Sequence, residues 1–422
     1  MLKALRNALR IGDLRAKILY TAALLAVFRL GSHVPVPGVD AGALAESLGV
    51  GQGNIFGFLD LFSGGALGRF TIFAMGVNPY ITASIIIQLL QVVVPQLEEM
   101  AKEGVEGRKR LQQYTRYGTV VLGLIQAISI TALARNMGVI ANPNFFTMSL
   151  IVVTLTAGTV FLMWLGEKIS QKGLGNGVSL IIFTGIIARL PQGFVQAAQS
   201  VGRGGINPLS FILFLVLTVV VIAGVVIVQE GQRRIPVQYA KRVVGRRMYG
   251  GQSTHIPLRI NQAGVIPVIF ANSVLTFPLT LAQFVPALGG ISRFLGYGTV
   301  GYNLIYVALV IFFTYFYTAV TFNPVEIASN MRKNGGFIPG LRPGRPTAEY
   351  LDRVLTRITL FGALFLAVIA VLPTIMSAIT RMPSQFMFFG GTGMLIVVGV
   401  ALDTMKQIEA HLLLRHYEGF MK

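Results

Sequence analysis

Acid–base chemistry has little to work with in this chain, which holds 16 Asp and Glu among 422 residues. Glu167 and Asp403 fall nearest to long apolar runs, each at the end of one. A solute carrier driven by protons or sodium usually needs a carboxylate inside the membrane. The four histidines, His33, His255, His411 and His416, share no helix face and no ligand spacing, so a metal site is not expected. The absence of cysteine excludes disulfides, thiolate nucleophiles and Cys-ligated zinc. No HExxH, GxSxG or Walker A lysine motif occurs. GLGNG at 173–177 has the look of a phosphate loop, but it follows no strand and leads into an apolar run. No catalytic residue and no cofactor are expected, and any energy for work must come from a partner or from the cargo.

The suggestive spacing belongs to branched aliphatic residues. Val77, Ile81 and Ile85 recur at i, i+4 and i+8 and share one helix face. Similar residues stand at Val178 and Ile182, at Ile269 after Pro267, and at Ile396 after a Gly-rich run. Taken singly, each is a residue that packs or meets lipid. Ser84, Gln88, Asn272 and Ser273 lie close by in sequence, and such groups line helix interfaces or cavities more often than lipid.

The elements that carry these residues are membrane helices. Hydrophobic residues make up 54% of the chain and charged residues 12%, with a mean hydropathy of +0.68. Apolar runs of about 20 residues recur, each long enough for the ~30 Å hydrocarbon core. They are continuously apolar rather than alternating, so the fold class is an all-α polytopic membrane protein. Ten spans are expected, near 18–34, 71–94, 117–134, 148–165, 177–190, 208–228, 263–284, 302–322, 358–376 and 390–402. Most of the 35 Lys and Arg fall on alternate connections, which the positive-inside rule places in the cytoplasm together with both termini. The basic, apolar start resembles a signal peptide, but Arg29 interrupts it and no small-residue cleavage site follows; it reads as a retained first helix. Five spans precede 207 and five follow, so the halves 1–207 and 208–422 have opposite topology, the arithmetic of an inverted repeat. The apolar stretch NIFGFLDLF at 54–62 is too short to span.

Two long basic connections, 229–261 and 323–356, are rich in Gly and Pro. QRRIPVQYA reads as extended, and KRVVGRRMY before a GG turn resembles a β-ribbon tip. Basic loops can simply set topology on anionic lipid. Their size and punctuation favour a docking platform for an acidic or RNA-bearing partner.

Taken together, FSGGALGRFTIFAMGVNPYITASIIIQLL, the EGVEGRKRLQQYTRYGT stretch, GLGNGVSLIIFTGI, GVIPVIFANS, NPVEIASNMRKNGGFIPGLRPGRPT and GGTGMLIVVGVALD resemble the SecY family of protein-export channels, colinearly over nearly the whole chain. The resemblance implies two pseudo-symmetric halves around an hourglass pore in the bacterial cytoplasmic membrane. It implies a ring formed by Val77, Ile81, Val178, Ile182, Ile269 and Ile396. It also implies a plug at about 54–69, with Ile55, Phe56, Phe58, Leu59, Leu61 and Phe62 in its helix and Gly64 and Gly65 in a hinge spanning SGGALGR. A lateral gate would involve Ile85, Gln88, Asn272, Ser273 and Phe277. Arg242, Arg246, Arg247 and Arg342 would dock the SecA motor or the ribosome, with SecE and SecG as membrane subunits and a signal peptide and preprotein as cargo. Val77 and Val178 stand where isoleucine is common in the family, and family members usually carry a further basic tail after HYEGF, where this chain ends at Lys422. The competing readings are a secondary transporter of a small solute and a non-conducting scaffold.

Overall fold

The computed structural model describes residues 11–47, 55–239, 242–244, 247–249, 253–282, 294–296, 299–380 and 391–419. In chain order the first helices are α1 (Gly12–Gly31), α2 (Ala41–Ser47), α3 (Ile55–Phe62), α4 (Asn78–Val93), α5 (Pro95–Lys102), α6 (Val105–Asn136), α7 (Phe145–Lys172), α8 (Gly177–Gly202) and α9 (Pro208–Glu230). Four strands follow: β1 (Gln232–Tyr239), β2 (Arg242–Val244), β3 (Arg247–Tyr249) and β4 (Ser253–Arg259). The chain continues through α10 (Ile266–Ala282), α11 (Val300–Thr321), α12 (Pro324–Lys333), β5 (Gly336–Phe337), α13 (Arg345–Thr380) and α14 (Thr392–Gly419).

A helix occupies part or all of every expected apolar segment, but the segment expected to start at 71 runs as turns up to Val77 and becomes helical only at Asn78. By length and composition, 6 of the helices can cross a membrane, or 7 if the bent pair α4–α5 counts as one span. α1, α10 and α14 do not meet that test among the described residues. α1 carries Arg15, Lys17 and Arg29, α14 ends in a charged stretch, and α10 is short. α8 runs to Gly202, well past the expected end near 190, and takes Pro191 within it.

Proline chemistry places the sharpest bend. Val94 precedes Pro95 and is extended (φ −101°, ψ 110°), as the pre-proline position favours, so α5 turns 100° away from α4. On α9, Leu209, Ile212, Val216, Val219, Val220 and Ile227 all face outward. An apolar face of that extent suits lipid rather than water. Inside the bundle, buried threonines return their hydroxyls to carbonyls one turn back. Thr115 donates to Leu111 O (3.1 Å), Thr119 to Thr115 O (2.7 Å) and Thr131 to Ala127 O (2.7 Å), so α6 presents small polar residues to its neighbours without orphaned groups.

The two long basic connections form one unit. β1 pairs antiparallel with β4, Ile235 opposite Ile256, and β5 adds to the other edge of β1 through Gln238 and Phe337. Ile235, Val237 and Leu258 are buried there with Met331, Ile338, Leu351 and Leu355. β2 and β3 make a separate antiparallel hairpin, with Arg242 in register with Tyr249.

Candidate functional site

The site grows from the start of α4. Pro79 sits in the first turn of α4, where its missing N–H costs no hydrogen bond. Ile81 and Ile85 then point inward. Val77, Ile81, Ile182, Ile269 and Ile396 are all buried in one continuous core, against which Val178 packs. These residues come from α8, α10, α14 and the entry to α4, so helices from both halves of the chain meet there. Ile81, Val178, Ile182 and Ile269 also border a cavity of about 330 Å³, with Ser84, Gln88, Gln112 and Glu167 on its polar side.

GLGNG serves packing rather than phosphate. Asn176 caps α8, its Oδ1 accepting from the N–H of Val178 (3.1 Å) and of Ser179 (3.2 Å). A Cβ on Gly177 would stand 2.0 Å from Gly166 O, so only glycine lets α8 approach α7 this closely. The N–H of Leu174 donates to Thr21 Oγ1 (3.1 Å) and that of Gly175 to Gln407 Oε1 (2.8 Å). Backbone donors that would cradle a phosphate are thus taken by protein groups.

α4 packs against α10, and these two helices carry the expected gate residues. Ile85, Asn272 and Ser273 are buried. Ser273 donates to Ile269 O (3.0 Å), and Gln88 Nε2 donates to Ser84 Oγ (3.0 Å). Phe277 falls on α10, and its side chain lies outside the described residues. Near the cavity, Arg116 grips Glu167 with two bonds (Nε–Oε1 3.0 Å, Nη2–Oε2 2.7 Å), tying α6 to α7. Both residues were visible in the sequence at helix ends, but nothing there paired them.

α3 packs against α8, and its Leu61 and Phe62 belong to the same core as the expected ring residues. The side chains of Ile55, Phe56, Phe58 and Leu59 lie outside the described residues. Gly64 (φ +69°) and Gly65 (φ +88°) take left-handed backbone that side chains disfavour. A Cβ on Gly64 would also stand 2.8 Å from Gly185 Cα.

The expected hinge over all of SGGALGR narrows here. Ala66, Leu67 and Phe70 are buried, Val36 N–H donates to Phe70 O (2.9 Å), and Ile72 N–H donates to Val34 O (3.1 Å). That stretch is stapled to the connection between α1 and α2, which leaves Gly64 and Gly65 as the two left-handed positions ahead of it. The sequence reading also passed over Asp60, which lies fully buried on α3 against Arg189 of α8. A single carboxylate inside an otherwise apolar eight-residue helix was the signal.

Arg342 is exposed between β5 and α13, its carbonyl accepting from Thr347 Oγ1 (2.8 Å). Arg242 and Arg247 lie on the β2–β3 hairpin, while Arg246 is outside the described residues. Among the described residues, no three His, Asp or Glu side chains gather as metal ligands.

In class this is a polytopic helical membrane protein, in which a short non-spanning helix shares one aliphatic core with helices from both halves of the chain. A SecY family profile matches residues 71–405. The protein translocase subunit SecY of Halalkalibacterium halodurans is 50% identical over 434 residues, covering 100% of both chains. The chain therefore belongs to the SecY family. Its fold matches a solved SecY channel, in work on how the plug domain stabilises the closed state and maintains a membrane seal (TM-score 0.65, 19% identity, 93% of this chain and 91% of that one). It also matches Sec61 from the canine ribosome–channel complex of the endoplasmic reticulum (TM-score 0.63, 19% identity, 93% and 91%).

Proposed function

We propose that this chain is the protein-conducting channel of a bacterial cytoplasmic membrane, passing unfolded preproteins across it and releasing apolar segments sideways into lipid. The observation that carries this reading is the single apolar core joining Val77, Ile81, Ile182, Ile269 and Ile396 to Leu61 and Phe62 of α3. Such a girdle is narrow and dry, so ions and water cross it poorly. Its contacts are non-directional, so it can close around any passing sequence without binding it. α3 is the plug, Gly64 and Gly65 its pivot, and the α4–α10 seam carrying Ile85, Gln88, Asn272, Ser273 and Phe277 is part of the lateral gate. Ten crossings in two inverted halves of five, 1–207 and 208–422, leave both termini in the cytoplasm.

The basic sheet and hairpin carrying Arg242, Arg246, Arg247 and Arg342 dock a partner that supplies the energy: the SecA motor or the ribosome. SecE and SecG are the membrane subunits expected beside it. Ribosome docking is supported by the Sec61 fold match and by the suitability of clustered arginines for RNA phosphate.

The test is reconstitution with these membrane subunits and motor in proteoliposomes. A preprotein becomes protease-protected only when both motor and ATP are present. Uptake of a small solute along an ion gradient, with no protected preprotein, would favour a secondary transporter instead.

A further inference from the structure

Asp60 places a carboxylate where the plug needs none for packing. Its side chain is 0% exposed. Oδ2 pairs with Nη1 of Arg189 on α8, and Oδ1 accepts the N–H of Gly68 at 2.6 Å. A second arginine acts on the pivot itself: Arg29 Nη1 of α1 donates to Gly64 O at 3.0 Å. Two arginines from two different helices therefore hold the short helix and its glycine turn where they lie.

The pair is asymmetric. Arg189 keeps 32% of its side chain exposed and can reach water alone, whereas Asp60 cannot. Moving α3 aside parts Asp60 from Arg189 and must find the carboxylate new partners. A buried ion pair adds little net stability over an apolar pair, but stripping away one partner is strongly unfavourable. Such a pair therefore registers one position more than it strengthens the fold.

We propose that Asp60 and Arg189 are positioning residues that latch the plug and set how strongly a signal segment must bind to open the channel. This rests on the plug assignment made above. A signal segment opens the channel only by its greater affinity for the open state. Every loss of closed-state stability lowers the affinity difference required, so a weakened latch admits weaker signals.

The test uses the full chain reconstituted with its membrane subunits. It reads resting ion conductance in planar bilayers and export of a preprotein whose signal has a shortened apolar segment. The variants are Arg189→Gln, Asp60→Asn, the double variant, Arg189→Lys, and a deletion of 55–61. The deletion raises the leak if α3 is the plug. Arg189→Gln raises it about tenfold or more, because Asp60 is left buried and unpaired. Asp60→Asn raises it less, and adding Arg189→Gln to Asp60→Asn changes little further. Arg189→Lys recovers most of the seal, and export of the weak signal follows the same order.

A deletion that leaks while Arg189→Gln and Asp60→Asn both match wild type in leak and signal requirement overturns the latch and leaves the plug standing. A deletion without any leak overturns the plug assignment and the latch with it. If Arg189→Gln does not accumulate, the comparison of Asp60→Asn with the double variant decides: equal leaks support coupling, and a further rise in the double refutes it.

Discussion

Replacing Ile81 and Ile269 together with asparagine raises the resting ion conductance of the reconstituted channel by about tenfold or more. The two side chains come from α4 and α10, one of the helix pairs that join the two halves, and both border the cavity beside the girdle. Full burial of one isoleucine is worth about 1.5–3 kcal/mol, and about 1.4 kcal/mol is a factor of ten in an equilibrium. Two amides at a dry constriction give water and ions partners where isoleucine gives none. Because both positions border open volume, the amides can be solvated there and the bundle still folds. Planar-bilayer recording reads the effect directly. Conductance equal to wild type would place the seal at some other level of the bundle.

The second large effect concerns docking. Arg342→Glu lowers motor-driven export to roughly a tenth of wild type, since facing like charges across an interface costs several kcal/mol. The substitution is a clean probe because the Arg342 side chain is exposed and its local fold is held by its carbonyl, which accepts from Thr347 at the start of α13. Protease protection of a preprotein measures the rate, and the amount of chain in the membrane shows that the variant has inserted. Undiminished export would remove Arg342 from the docking surface.

Much of this architecture could be read from the chain because the bilayer restricts the choices. A run of about 20 apolar residues has essentially one structure available, so the helical segments were visible wherever apolar length was sufficient. The i, i+4, i+8 spacing of Val77, Ile81 and Ile85 gave an inward face, and the structure gathers those residues with Ile182, Ile269 and Ile396 in one core. Contacts between distant parts of the chain were less visible. Two basic connections read separately turn out to share one sheet, because pairing β5 with β1 joins residues about a hundred positions apart and leaves no local periodicity. The pairing of Asp60 with Arg189 is hidden for the same reason, although one acid in an apolar helix marks that a partner exists somewhere. Small residues in SGGALGR suggested freedom throughout that stretch. The buried Leu67 and Phe70, with the backbone bonds to Val34 and Val36, pin everything after Gly65. The Gly177–Gly166 approach is invisible locally for a related reason: a glycine that packs a helix and one that frees a loop look alike in sequence.

The central claim is that a polypeptide passes through the aliphatic girdle, and a photo-reactive side chain placed at Ile81 or Ile269 tests it most directly. With a preprotein stalled midway by a folded domain at its end, the account predicts crosslinks from both positions to the preprotein, and none from Val219 on the outward face of α9. Crosslinks confined to such outward-facing positions, with none from Ile81 or Ile269, would contradict it.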